Sequence, residues 1–236
     1  MADDTNPIRR RHFLMGAGTA VAASLTPPTA EAQTPPDAAP APSDQPQPML
    51  TLTATEQAFF AAAADAMIPA DDLSPSGSDC GVAVFIDRQL AGAYGAGARL
   101  YRDGPFAKAK PEFGYQLPLN PREFFRAGIE SANAWTRKTY GKEFDRLSDK
   151  DREAALKAME DDKAPFPGFS SRMFFDALLQ ITMEGFFADP IYGGNRDTAA
   201  WKMVGYPGLP ATYREEIRTY FGKKYDKPPR SIADFS

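Results

Sequence analysis

A chain of 236 residues with 27 basic and 31 acidic side chains carries a net charge of −4, so it has no overall basic excess with which to hold nucleic acid or anionic lipid. One histidine and one cysteine leave no side-chain set for haem attachment, an iron–sulfur cluster or a histidine-ligated zinc. The single histidine, His12, lies in a segment expected to be removed, so Ser-His and Cys-His nucleophile pairs are excluded from what remains.

Residues 1–32 read as a cleavable leader. Arg9, Arg10 and Arg11 form its charged head, and Arg10-Arg11-His12-Phe13-Leu14 is a twin-arginine export signature. Met15 to Leu25 is a short, weakly apolar stretch, and Ala30-Glu31-Ala32 is a small-x-small cleavage site. A membrane-crossing helix needs roughly 20 apolar residues, which this stretch lacks. Cleavage before Gln33 is expected, the alternative being retention as an anchor. Residues 33–49 are dense in Pro and Ala and read as a disordered linker. The expected location is the periplasm, reached in the folded state through the twin-arginine translocase.

Residues 50–236 predict a mainly α fold, a single irregular helical domain with long loops. Thr53-Ala54-Thr55-Glu56 is a capping box that opens a helix through Phe59, Phe60, Ala63 and Met67, which Pro69 stops. Val82 to Leu90 forms a short apolar helix. Asn120-Pro121 supplies a cap and a first-turn proline for a helix that Gly141 ends. Ser148 caps a further helix with Ala155, Leu156 and Met159 as its apolar stripe.

From Ser171 to Phe187 the pattern is apolar nearly all round. Phe174, Leu178 and Ile181 line one side, and Phe175, Leu179, Met183 and Phe186 the other. Two apolar faces place such a helix at the centre of the core, or between the core and a partner. A last helix is expected from Ala211 to Phe221.

Chemistry is left to carboxylates and one thiol. Asp71-Asp72 is the adjacent acidic pair, in a Pro/Ser/Gly loop where acids usually cap helices or face water. A calcium loop through Asp72, Ser74, Ser76 and Gly77 fails, because Ala83 stands where the bidentate Glu belongs. Cys80, unpaired in an oxidising compartment, is either one half of an inter-subunit disulfide or a buried inert thiol.

The most distinctive stretch runs from Glu184 to Trp201. Asp189-Pro190 ends the long helix, and Gly193-Gly194-Asn195 permits a turn of positive φ. Asp197 is expected to cap the short helix that carries Trp201. Phe186, Phe187, Asp189, Pro190, Tyr192, Gly193, Gly194, Asn195 and Trp201, together with Cys80, are the candidate partner interface, since aromatic groups dominate binding hot spots. The other reading is that this loop folds only against its own core.

These residues resemble a known family. The leader, Ile68-Pro69-Ala70-Asp71-Asp72, Gly81-Val82 through Phe85-Ile86-Asp87, and Gly185 to Asn195 occur in the order found in gluconate 2-dehydrogenase subunit 3, the small subunit of membrane-bound sugar and sugar-acid dehydrogenases. Trp201 and Gly205-Tyr206-Pro207-Gly208 complete the last block. The resemblance implies a periplasmic complex of three parts. A large subunit oxidises an alcohol carbon with FAD, and a multihaem cytochrome c subunit passes the electrons to quinone. The small subunit holds no cofactor, is not catalytic alone, and escorts and matures the large subunit. It touches the membrane only through its partners. Two other functions compete. One is a periplasmic module that binds a sugar between Tyr192 and Trp201, and the other is a hydrolase built on carboxylates such as Asp71 and Asp189.

Overall fold

The computed structural model describes residues 48–235 apart from 102, 108–109, 111–113 and 210–211. The leader and nearly all of the linker therefore lie outside the described residues. Within them the chain forms seven α-helices joined by irregular segments and short 3-10 turns, with no strand and only an isolated bridge between Gly208 and Arg230.

The first helix, α1 (Ala54–Met67), starts at the expected capping box. Thr53 Oγ1 accepts from the Glu56 amide at 3.3 Å, and Glu56 Oε2 accepts from the Thr53 amide at 2.7 Å. The other Glu56 oxygen takes the Arg126 guanidinium at 2.9 Å, which ties α1 to α3 (Pro121–Tyr140). Burial opposes ionisation of Glu56, yet the Thr53 amide and Arg126 outweigh it and hold the carboxyl below its usual range.

Asn120 and Glu123 make a second capping box on α3, and Gly141 closes that helix in the left-handed region at φ 75°. Ser148 caps α4 (Asp149–Glu160), whose Ala155, Leu156 and Met159 are all buried. Arg122 turns back to the end of α2 (Val82–Ala91), donating to the carbonyls of Leu90 and Ala91 at 2.8 and 3.1 Å.

The core is an aromatic cluster. Phe59, Phe60, Phe124, Phe125, Phe144 and Phe174 are almost wholly buried, with ring centroids 4.6–6.3 Å apart in tilted and edge-on pairs. Helix α5 (Ser171–Phe187) brings Phe174 into this cluster. Gly128 of α3 makes room for it, because a Cβ there would lie 2.1 Å from the Phe174 ring. Gly128→Ala should therefore destabilise the fold by about 2 kcal/mol, overpacking exceeding the ~1 kcal/mol gain in helix propensity. Thermal denaturation measures this, and a variant as stable as the parent would mean that the ring moves aside freely.

Helix α5 is one-sided rather than apolar all round. Phe174, Leu178, Ile181 and Phe186 are buried, whereas Leu179 and Met183 are each 38% exposed. Phe186 thus belongs to the core side and not with Leu179 and Met183. It follows Thr182 and Leu178 at four-residue steps, which keeps it on the buried stripe. The final helix is also shorter than expected, at Arg214–Thr219.

Candidate functional site

The Glu184–Trp201 block is a turn that wraps the end of α5. Pro190 has no amide to continue the helix, and Asp189 takes over. Its Oδ1 accepts from the Ile191 amide at 3.0 Å, capping a 3-10 turn at Pro190–Tyr192. Its Oδ2 accepts from the Ile232 amide at 2.9 Å, which anchors the C-terminal segment.

Asn195 is fully buried at φ 45° and bridges the turn. Its Nδ2 donates to the Ala188 carbonyl and its Oδ1 accepts from the Ala200 amide, both at 2.9 Å. Trp201, on α6 (Ala199–Val204), gives its indole N–H to the Phe187 carbonyl at 2.9 Å. Orphan groups at the end of α5 and the start of α6 are thereby satisfied from one loop.

Asp197 does not cap α6 as expected. It sits at φ 56° on the exposed side, and its backbone carbonyl receives Lys202 Nζ and Thr198 Oγ1. Asn195 does the work instead, because its amide offers both a donor and an acceptor and so can serve two helix ends at once.

The two glycines act differently. Gly193 adopts φ 96°, open to few other residues. At Gly194 the constraint is space, since a Cβ would lie 2.1 Å from the Gly185 carbonyl oxygen. Gly81 meets the Gly193 carbonyl in the same manner at 2.5 Å, and the Arg196 amide donates to the Cys80 carbonyl at 3.0 Å. The block therefore docks directly on the start of α2, which explains why Gly81-Val82 and the Gly-rich turn occur together.

Burial sorts the candidate interface residues into two layers. Cys80, Phe186, Asp189, Gly194, Asn195 and Trp201 are buried within this chain. Phe187, Pro190 and Gly193 are half-buried, and Tyr192 is 49% exposed beside Ile191 at 48%. Cys80 Sγ lies 3.8 Å from the Pro75 carbonyl, and burial, reinforced by Asp79, pushes the thiol up. A protonated, enclosed thiol is a poor partner in disulfide exchange, so bridging would require the 75–81 loop to open.

The carboxylates proposed for hydrolysis are occupied by backbone. Asp71 Oδ1 accepts from the amides of Leu73 and Ser74 at 2.8 and 3.0 Å, and both Asp189 oxygens are taken as described. Trp201 is 5% exposed with its N–H engaged, so it and Tyr192 do not offer two open faces to a sugar. A polar groove of about 260 Å³ lies between the start of α1 and α3, lined by residues including Thr53, Glu130 and Asn133. Its arginines already face carboxylates, Arg126 on Glu56 and Arg137 on Glu143. Among the described residues no group of three or more His, Cys, Asp or Glu is placed to hold a metal ion, and no helix is long and apolar enough to cross a membrane.

Asp87, which ends the Gly81–Asp87 block, holds the chain that leads into α1. Asp87 of α2 is 1% exposed and accepts from the amides of Leu50, Thr51 and Leu52 at 2.6, 2.9 and 2.9 Å. The available signal was an acid beside Phe85, Ile86 and Leu90 on an otherwise apolar face.

The chain belongs to the gluconate 2-dehydrogenase subunit 3 family, whose sequence model matches residues 54–208. Neither a curated protein nor a solved structure matches it significantly.

Proposed function

We propose that this chain is the non-catalytic small subunit of a periplasmic, flavin-dependent sugar or sugar-acid dehydrogenase complex. In this reading it escorts the FAD-containing large subunit through the twin-arginine translocase, stabilises it afterwards, and shares the complex with a multihaem cytochrome c subunit. The observation that carries the proposal is family membership in a chain whose own leader bears the twin-arginine signature.

In this reading FAD and haem chemistry belongs to the partners, which agrees with the engagement of Asp71 and Asp189 by backbone amides. The inner layer of the Gly-rich block shapes the turn. Its outer layer, Ile191 and Tyr192, together with Leu179 and Met183 of α5, supplies apolar surface of the kind that subunit contacts bury. Cys80 lies on the inner side, and its proposed part in the interface is to hold the 75–81 loop beneath the block.

Affinity purification of the C-terminally tagged full chain from the periplasm tests the reading. A large chain with flavin absorbance should co-purify. Tyr192→Asp should cut its yield by about 30-fold without altering the melting of the small subunit, as for a binding hot spot. A lone, colourless chain would overturn the proposal.

A further inference from the structure

Residues 209–235 lie beyond the family-matched segment. Ile217 lies on α7 (Arg214–Thr219), with Tyr213 and Phe221 just outside its two ends. All three are exposed, Tyr213 at 40%, Ile217 at 67% and Phe221 at 86%. Leu209 and Phe235 are partly exposed, and Arg230 stacks on the Phe235 ring at 4.0 Å.

Charge follows the same segment. In a chain of net −4, residues 213–230 hold Arg214, Arg218, Lys223, Lys224, Lys227 and Arg230 against Glu215, Glu216 and Asp226. The nearby acids are engaged locally: Glu215 with Arg218, Glu216 with Lys227 and Asp226 with Lys224, at 3.4–3.7 Å. Asp234 caps the Ser231 amide at 2.7 Å. Among the described residues no ion pair involves Lys223 or Arg214. Lys227 also sits 5.6 and 5.8 Å from the Tyr220 and Tyr225 ring centres, so cations and aromatic rings are interleaved.

The segment is held firmly at both ends. The Leu209 amide donates to the Arg230 carbonyl at 2.9 Å and the Arg230 amide to the Pro207 carbonyl at 3.2 Å, while Asp189 holds Ile232. A loop pinned at its base thus presents an exposed Phe and Ile, with Tyr, Lys and Arg as their neighbours in sequence.

We propose that this face docks on an anionic phospholipid surface, with Phe221 and Ile217 entering the headgroup boundary and the basic side chains meeting lipid phosphates. Apolar residues bordered by Lys and Arg are the composition of an interfacial membrane contact, and Tyr side chains favour the headgroup level. Charge complementarity selects an anionic lipid. The face lies outside the family-matched segment 54–208, so the family match assigns it no role. Whole-chain charge conceals this patch, because the excess of acid lies elsewhere. The proposal is independent of the escort reading and gives the chain a membrane contact of its own.

The test is flotation of the full chain with phosphatidylglycerol-containing vesicles and with pure phosphatidylcholine vesicles, comparing the parent with Lys223→Gln/Lys224→Gln and Phe221→Ser. All keep the same leader, so its contribution cancels. The expected result is binding to the anionic vesicles that weakens with salt. The double Lys variant should bind about 25-fold more weakly, roughly five-fold per cation. Phe221→Ser should bind about ten-fold more weakly, for one partly inserted ring. Unchanged melting temperatures would show that the fold is intact. The proposal is overturned by no vesicle binding, by equal binding to phosphatidylcholine, or by variants that float like the parent. It is also overturned if the variants lose a co-purifying subunit and keep lipid binding, which would make the face a protein contact.

Discussion

Asp87→Ala should lower the stability of the folded chain by about 3–5 kcal/mol, a large part of the 5–15 kcal/mol that holds a typical domain together. The carboxylate is 1% exposed and receives three backbone amides, from Leu50, Thr51 and Leu52. Hydrogen bonds to a charged acceptor contribute roughly 1.5–3 kcal/mol each, and leaving their donors without partners adds a desolvation cost. Partial exposure of residues 50–52 lets water recover some of that loss, which keeps the expected effect below the simple sum.

Asp87→Asn separates geometry from charge. Its carbonyl oxygen can still accept from Thr51 and Leu52, but its NH2 then faces the Leu50 amide, donor against donor. A loss of about 1–2 kcal/mol is expected for Asn, clearly smaller than for Ala. Chemical denaturation gives both values, and hydrogen exchange at residues 50–52 reports the clamp directly. Equal stability of parent and Ala variant would mean that these amides find other partners. The clamp holds the residues that lead into α1, so its loss should loosen the start of α1 first.

The elements legible in the sequence were those specified by neighbouring residues. Thr53 with Glu56, and Asn120 with Pro121 and Glu123, mark helix starts because capping is settled within four residues. Gly141 and Pro190 mark ends for similar local reasons. What could not be read depended on where distant segments meet. Asp197 looked like a cap by position, yet the turn at Gly193-Gly194 brings the Asn195 side chain to Ala200 first. Gly194 read as a turn residue, whereas its constraint is the Gly185 carbonyl across the loop. Phe186 reads with Leu179 and Met183 when apolar residues alone are followed, whereas the buried stripe runs Leu178, Thr182, Phe186 through a polar residue. The basic-aromatic tail was hidden by averaging charge over the chain.

Under the proposed function, replacing Arg10 and Arg11 together by Lys should stop export of this chain and of the flavin subunit with it. Twin-arginine signals are read by a receptor rather than by charge alone, so keeping both cations should not rescue recognition. Lys is also not equivalent to Arg where a planar, multi-donor group is recognised. Fractionation followed by immunoblotting of both chains is the readout, with dye-linked dehydrogenase activity measured in the periplasm and in the cytoplasm. Both chains should remain in the cytoplasm and periplasmic activity should fall to background. Cytoplasmic flavin-linked activity would show that the complex assembles before export, as folded transport requires. If the flavin subunit still reaches the periplasm while the small subunit does not, the two travel separately and escort is the wrong role. The remaining function would then be stabilisation after export, which depends on the Ile191–Tyr192 surface and not on the leader.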